Sequence, residues 1–319
     1  MEIQRIDVHL VSLRCCEPFR IALGTSTENQ NVVVKVVTNR NVVGWGEASP
    51  SEKVTKENPE TVLNAIDKMA PKLVGVCPLR IEKATELIDE TVVGNPSAKA
   101  AIDIALHDIM GKTARRPLFM LLGGYRHEVL TDITLGIKSP KQMARDAVKA
   151  VNRGFKAVKV KVGVNPEEDL ERVKLIREAI GPEITLRIDA NQGWTPDQAI
   201  DVLRKMEKFN IEFVEQPVKA EDIKRLSECS RELFDTGYGG RKCSFPEDTV
   251  QLIHTETVDL INIKLMKCGG ILKARKIAAI AEAANIPCMT GCMGESRLGI
   301  TAGVHVAAAT KNIHMPTST

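Results

Sequence analysis

From about residue 128 the chain repeats one pattern, and that repetition limits the fold more than any other feature. Short apolar runs, VLTDITLG, AVKVKVG, TLRIDAN, EFVEQP, VDLINIKL and IPCMTGC, alternate with polar helical stretches. Ser139-Pro140, Asn165-Pro166 and Thr195-Pro196 each put a capping side chain before a proline suited to the first helical position. ILKARKIAAIAEAA and LGITAGVHVAAAT continue the helical series. Strands this uniformly apolar are buried on both faces, and parallel strands need crossovers, so the pattern predicts a parallel sheet closed as a β/α barrel. Strands one to four, six and seven are legible. The fifth place is taken by GYGGRKCSFPED (237–248). Its right half, with Pro246, Glu247 and Asp248, reads as a helix start, but its left half holds glycines, two cations and a cysteine. The tail NIHMPTST contains no run that reads as an eighth strand. The expected barrel therefore has an altered fifth strand and lacks its last.

The first fifty residues have another texture. IQRIDVHLVSL, NVVVKVVTN and VVGWGEA read as strands, and 59–72, 80–92 and 96–112 read as helices, with Ile102, Leu106 and Ile109 on one face of the last. Strands followed by helices predict a self-contained α+β unit over 1–125, ahead of a barrel over 126–319 that is cut short. A net charge of +3 over 319 residues implies neither a nucleic-acid nor a membrane partner. The N-terminus lacks a signal-peptide core, no run has transmembrane length, and the eight cysteines include no CxxC pair for zinc. A cytoplasmic protein with reduced thiols is expected. Self-association into a homo-oligomer stays open.

In β/α barrels reactive groups sit at the C-terminal strand ends. Those positions hold Lys159 and Lys161, then Asp189 and Asn191, Glu215, Lys264 and Glu295. Lys159 and Lys161 are two apart on one strand and share a side, so each ammonium should lower the other's pKa, as a lysine base needs near neutrality. The alternative is a solvated pair on an edge strand, against which Val158, Val160 and Val162 argue. Asp189 and Glu215 end consecutive strands. Either alone would more simply serve a cap or loop, but together these hard oxygens, with no clustered His or Cys, favour Mg²⁺. Lys264 lies nearly opposite Lys161 around such a barrel. A lysine on each face of a metal-held substrate could remove the α-proton of a carboxylate and return it from the other side, through an enediolate.

KVKVG, DANQGW, VEQP and NIKLMKCGGI together resemble the successive barrel signatures of the enolase superfamily, in its muconate-lactonising branch. TGCMGESRLGITAGVHVAAA further resembles the dipeptide epimerases, including the L-Ala-D/L-Glu epimerases. The resemblance implies a (β/α)7β barrel under an α+β cap and epimerisation of a dipeptide. It implies Lys161 and Lys264 as the acid/base pair, Lys159 as support for the substrate carboxylate, and Asp189 and Glu215 as Mg²⁺ ligands. Thr134, Cys292, Met293, Glu295 and Arg20 fall where substrate contacts are expected. Arg20 either meets an acidic substrate side chain or is an exposed cap arginine, and Cys292 and Met293 either line the side-chain pocket or pack the barrel. A muconate cycloisomerase or an o-succinylbenzoate synthase would keep the same lysines and acids, so these remain rivals.

Two departures stand out. The family's third ligand, from a Met-Ala-Asp-Glu-Ser motif, falls at Gly240, which cannot ligate, and the Asp-x-Asp pair of the eighth strand is missing. Permitted codons for Leu233 to Phe245, read one base later, can give Ser-Ser-Ile-Pro-Val-Met-Ala-Asp-Glu-Ser-Val. Those for His314 to Thr319, shifted by two, can give Tyr-Ala-Asp-Leu-Asp. Frame slips at both places are therefore expected, with an inactive product of the gene as written as the rival outside enzymology.

Overall fold

Three antiparallel strands begin the chain: β1 (Ile3–Ile21), β2 (Gly24–Thr38) and β3 (Val43–Ala48), lying side by side in that order. Alternation in NVVVKVV turns Val32, Val34 and Val36 inward, where all three are fully buried. They pack against helices α1 (Pro59–Leu73), α2 (Ile81–Thr91) and α3 (Pro96–Ala114). A reciprocal pair starts α1: Thr61 N donates to the Asn58 side chain while Asn58 N donates to the Thr61 hydroxyl, both at 2.9 Å.

Helix α3 is buried on most of its sides because it serves two cores. Ile102, Leu106 and Ile109 face the sheet cluster, as their spacing predicts, whereas Ala100 and Ile104 join the barrel-side cluster. Its approach to β3 explains the spacing in VGWGEA. A Cβ at Gly46 would lie 1.8 Å from the Ala101 carbonyl oxygen, and one at Gly44 would lie 2.1 Å from that of Ala105. Only glycine admits the helix this closely.

This computed structural model describes residues 1–219, 240–243, 246–254, 260–313 and 317–318. The barrel strands are β4 (Thr131–Leu135), β5 (Ala157–Lys161), β6 (Thr185–Asp189), β7 (Ile211–Glu215), β8 (Gly240–Cys243), β9 (Leu260–Lys264), β10 (Cys288–Gly291) and β11 (Thr317–Ser318). They form a closed parallel ring in chain order. Helices Pro140–Asn152, Pro166–Ile180 and Pro196–Met206 follow β4, β5 and β6, each with proline in the first turn. Asn165 and Thr195 cap through their side chains, whereas Ser139 makes no such bond.

The ring corrects one expectation and qualifies another. A strand does occupy the eighth place: Thr317 and Ser318 pair with Thr131 and Asp132 of β4, and Ser318 with Gly291 of β10. The fifth place is likewise filled by β8, between β7 and β9. The physical reason is that a ladder consumes only backbone N–H and C=O groups, which residues of almost any chemistry supply. Of the stretches read as frame-slipped, 233–239, 244–245, 314–316 and 319 lie outside the described residues. The helix expected at Pro246 is present as Pro246–His254, with Glu247 and Asp248 in its first turn. Cys15, Cys16, Cys77, Cys268, Cys288 and Cys292 take part in no disulfide, and among the described residues no helix is long and apolar enough to cross a membrane.

Candidate active site

The pairing register lays out a row across the mouth of the barrel. Lys161 pairs with Asp189, Asp189 with Glu215, and Glu215 with Gly240. Strand alternation sends Lys159 and Lys161 to the same side, and both are buried. Lys161 Nζ donates to Asp189 Oδ2 at 2.6 Å and to Asn191 Oδ1 at 3.0 Å. Lys159 Nζ lies 2.6 Å from Glu215 Oε2 and 3.4 Å from Asp189 Oδ2, so one ammonium touches both carboxylates. Asp189 and Glu215 are completely buried. Asn262 Nδ2 donates to Glu215 Oε1 at 2.9 Å, and the Asn191 backbone N–H donates to Asp189 Oδ1 at the same distance.

The carboxylates act unequally on the two lysines, which corrects the expectation that both amines are lowered. Burial opposes the charge on Lys159, but Glu215 and Asp189 outweigh it and hold the ammonium well above the ordinary lysine value. For Lys161, burial dominates. Asp189 opposes it, the Lys159 charge adds to it, and the group ends below the ordinary value. One amine of the pair thus stays charged while its neighbour gives up its proton more readily.

Lys264 ends β9, and its Nζ donates to the Cys292 carbonyl at 2.7 Å rather than to an acid. Cys292 and Met293 follow β10 and are half-buried; burial pushes the Cys292 thiol up to about 12. Glu295 folds back so that its carboxylate accepts from Met293 N, and burial raises it to about 7. Thr134 stands on β4 in register with Lys159. Arg20 is exposed at the tip of the β1–β2 hairpin, and its carbonyl accepts from Ile137 N at 2.7 Å, so the tip touches the end of β4. The sequence reading missed Asn262, although it stands two residues before Lys264 on the same face of β9. It also missed Glu47, quoted only as part of a strand.

Asp189 and Glu215 are buried, adjacent and tied by a single ammonium, a donor set of hard oxygens that suits Mg²⁺. The next place on the row is Gly240, which has no side-chain oxygen. Among the described residues no group of three His, Cys, Asp or Glu could hold a metal ion.

Residues 5–123 match the family model described as "Mandelate racemase / muconate lactonizing enzyme, N-terminal domain", and residues 142–319 match "Enolase C-terminal domain-like". The chain is 45% identical to the hydrophobic dipeptide epimerase of Enterococcus faecalis, over 98% of this chain and 89% of that protein. It is 42% identical to the L-Ala-D/L-Glu epimerase of Clostridium acetobutylicum, over 98% and 88%. The crystal structure of the Enterococcus faecalis enzyme with Mg and L-Leu-L-Tyr superposes with a TM-score of 0.97 at 44% identity, covering 100% of this chain and 90% of that one. By both domains and by these full-length likenesses, the chain belongs to the enolase superfamily, in its mandelate racemase and muconate lactonizing branch, among the dipeptide epimerases.

Proposed function

We propose that this protein epimerises dipeptides at the α-carbon of the C-terminal residue, with Lys161 and Lys264 as the acid/base pair. The observation that carries this reading is the row Lys161, Asp189, Glu215, with Lys264 rising from a strand on the opposite side of the ring. Lys161 Nζ takes the α-proton from one stereoisomer and Lys264 Nζ delivers a proton to the other face; the other isomer uses them in reverse. The lowered pKa of Lys161 favours the neutral amine that a base requires. Lys159 keeps its charge and pairs with the substrate carboxylate. Mg²⁺ held by Asp189 and Glu215 would supply further positive charge at that carboxylate. Thr134, Cys292, Met293 and Glu295 surround the rest of the dipeptide, and Arg20 offers a guanidinium to an acidic side chain of the L-Ala-D/L-Glu kind. The working division is a cap over 1–125 and a barrel over 126–319, in a cytoplasmic enzyme.

Gly240 favours a second reading, that the chain as written holds Mg²⁺ too weakly for turnover, since two carboxylates satisfy an octahedral ion less well than three. Isothermal titration with Mg²⁺ separates the two when run on this chain and on Gly240→Asp. α-Proton exchange in D₂O with L-Ala-L-Glu and L-Leu-L-Tyr completes the experiment. Gly240→Asp should bind Mg²⁺ about tenfold more tightly or better, a gain of about 1.4 kcal/mol. Equal affinity would remove the account of Gly240. Metal-loaded protein that exchanges no dipeptide would remove the epimerase reading.

A further inference from the structure

We infer that Glu47, a residue of the N-terminal sheet, positions Lys264 by holding the segment 292–299, the loop after β10 and the first turn of the next helix. The inference rests on the reading of Lys264 as an acid/base group. Glu47 is the penultimate residue of β3 and is completely buried. Its carboxylate accepts from Asn31 Nδ2 at 2.7 Å, Ser296 N at 2.8 Å, Ser296 Oγ at 2.7 Å and Gly299 N at 2.8 Å. Asn31 Nδ2 also donates to the Gly294 carbonyl at 2.8 Å. Two side chains from the cap sheet therefore fix Gly294 and Ser296 of one barrel loop and Gly299 in the first turn of the helix that follows. The fit leaves no slack, because a Cβ at Gly294 would lie 2.8 Å from Asn29, and one at Gly299 would lie 2.7 Å from Glu295 Cγ and 3.2 Å from Glu47 Oε2.

Sheet pairing does not do this job. The β9–β10 ladder ends at the Lys264–Gly291 pair, one residue short of Cys292, whose carbonyl accepts the Lys264 ammonium. Beyond that pair the loop's course is set by the Glu47 and Asn31 bonds, and by the Glu295 carboxylate that accepts from Met293 N. A carboxylate suits the place: it accepts at both oxygens and faces the N-terminus of helix Arg297–Ala309, where negative charge is favoured. An amide there would turn an NH₂ group toward N–H donors.

The test is competitive acetylation of the metal-free protein with acetic anhydride, read by mass spectrometry at individual lysines, with amide hydrogen exchange at Ser296 and Gly299. In Glu47→Gln, Lys264 should acetylate faster relative to Lys161 by about tenfold, as for loss of one charge-assisted hydrogen bond. Exchange at the two amides should quicken with it. Ser296→Ala, which removes one donor and leaves the carboxylate, should shift the same ratio less. General loosening of the fold would raise both lysines together and leave the ratio unchanged. An unchanged ratio in both variants, or protected amides in Glu47→Gln, would overturn the inference. The measurement uses neither metal nor turnover, so failure of the epimerase reading would appear in dipeptide exchange and not here.

Discussion

The β5–β7 wall and the β9–β10 wall oppose one another across the barrel mouth, and they hold their lysines differently. On the first, Lys159 and Lys161 are knitted to Asp189, Asn191 and Glu215 by charge-assisted bonds among buried side chains. On the second, Lys264 meets a neutral carbonyl on a loop that is itself tied to the cap. A buried ion network fixes both the position and the protonation of its members. A lysine on a carbonyl has only its position fixed, and only as well as the loop that carries the carbonyl.

If both walls supply one reacting amine, removing either should cost most of the turnover. In a chain competent for exchange, Lys161→Ala and Lys264→Ala should each slow epimerisation on the order of 10²- to 10⁴-fold. Each should still exchange the α-proton of one stereoisomer, and a different one. Near-normal epimerisation by either variant would break the symmetry on which the two-base reading depends. Stability should separate the walls next. Lys159→Met strips the ammonium from two buried carboxylates and should cost about 3–5 kcal/mol without metal, a fall in Tm of roughly 10 °C that Mg²⁺ partly restores. Lys264→Met removes a bond to a carbonyl and should cost about 1 kcal/mol. Equal losses would show that the charged network matters no more than its neutral counterpart.

The smallest effect is a pH dependence on the second wall. Glu295 is held protonated up to about 7 by burial, whereas the unfolded chain loses that proton near 4.5. Between those values the folded protein binds the extra proton, so the stability contributed is present below 4.5 and is lost as pH rises through about 7. Glu295→Gln should flatten that part of the Tm profile. A parallel profile in the two proteins would mean that Glu295 is ionised in the fold at neutral pH.

Most of the ring and the charged half of the site could be read from the sequence, because both follow short-range periodicities. Alternation placed Lys159 with Lys161, and proline after a capping residue marked the helices at 140, 166 and 196. The fifth and eighth strands could not be read, since β8 and β11 form from backbone pairing and carry no apolar signature. The unequal titration of Lys159 and Lys161 also escaped the sequence. It depends on which ammonium reaches both acids, a matter of ångströms between strands. Glu47 escaped for a third reason: its partners in the barrel stand some two hundred and fifty positions away, beyond any spacing rule.

The two-residue strand β11 bears on how the chain folds. Thr317 and Ser318 join it to β4, the first barrel strand, Ser318 joins it to β10, and a bridge from Ile313 to Cys288 adds to the β10 side. Pairing across so long a stretch of chain carries a loop-closure cost that only a few backbone bonds offset. The seam should therefore close late, after neighbouring strands have docked in order, and reopen early in native-state hydrogen exchange. The circle is closed between the strands farthest apart along the chain, and the order of assembly follows from that separation.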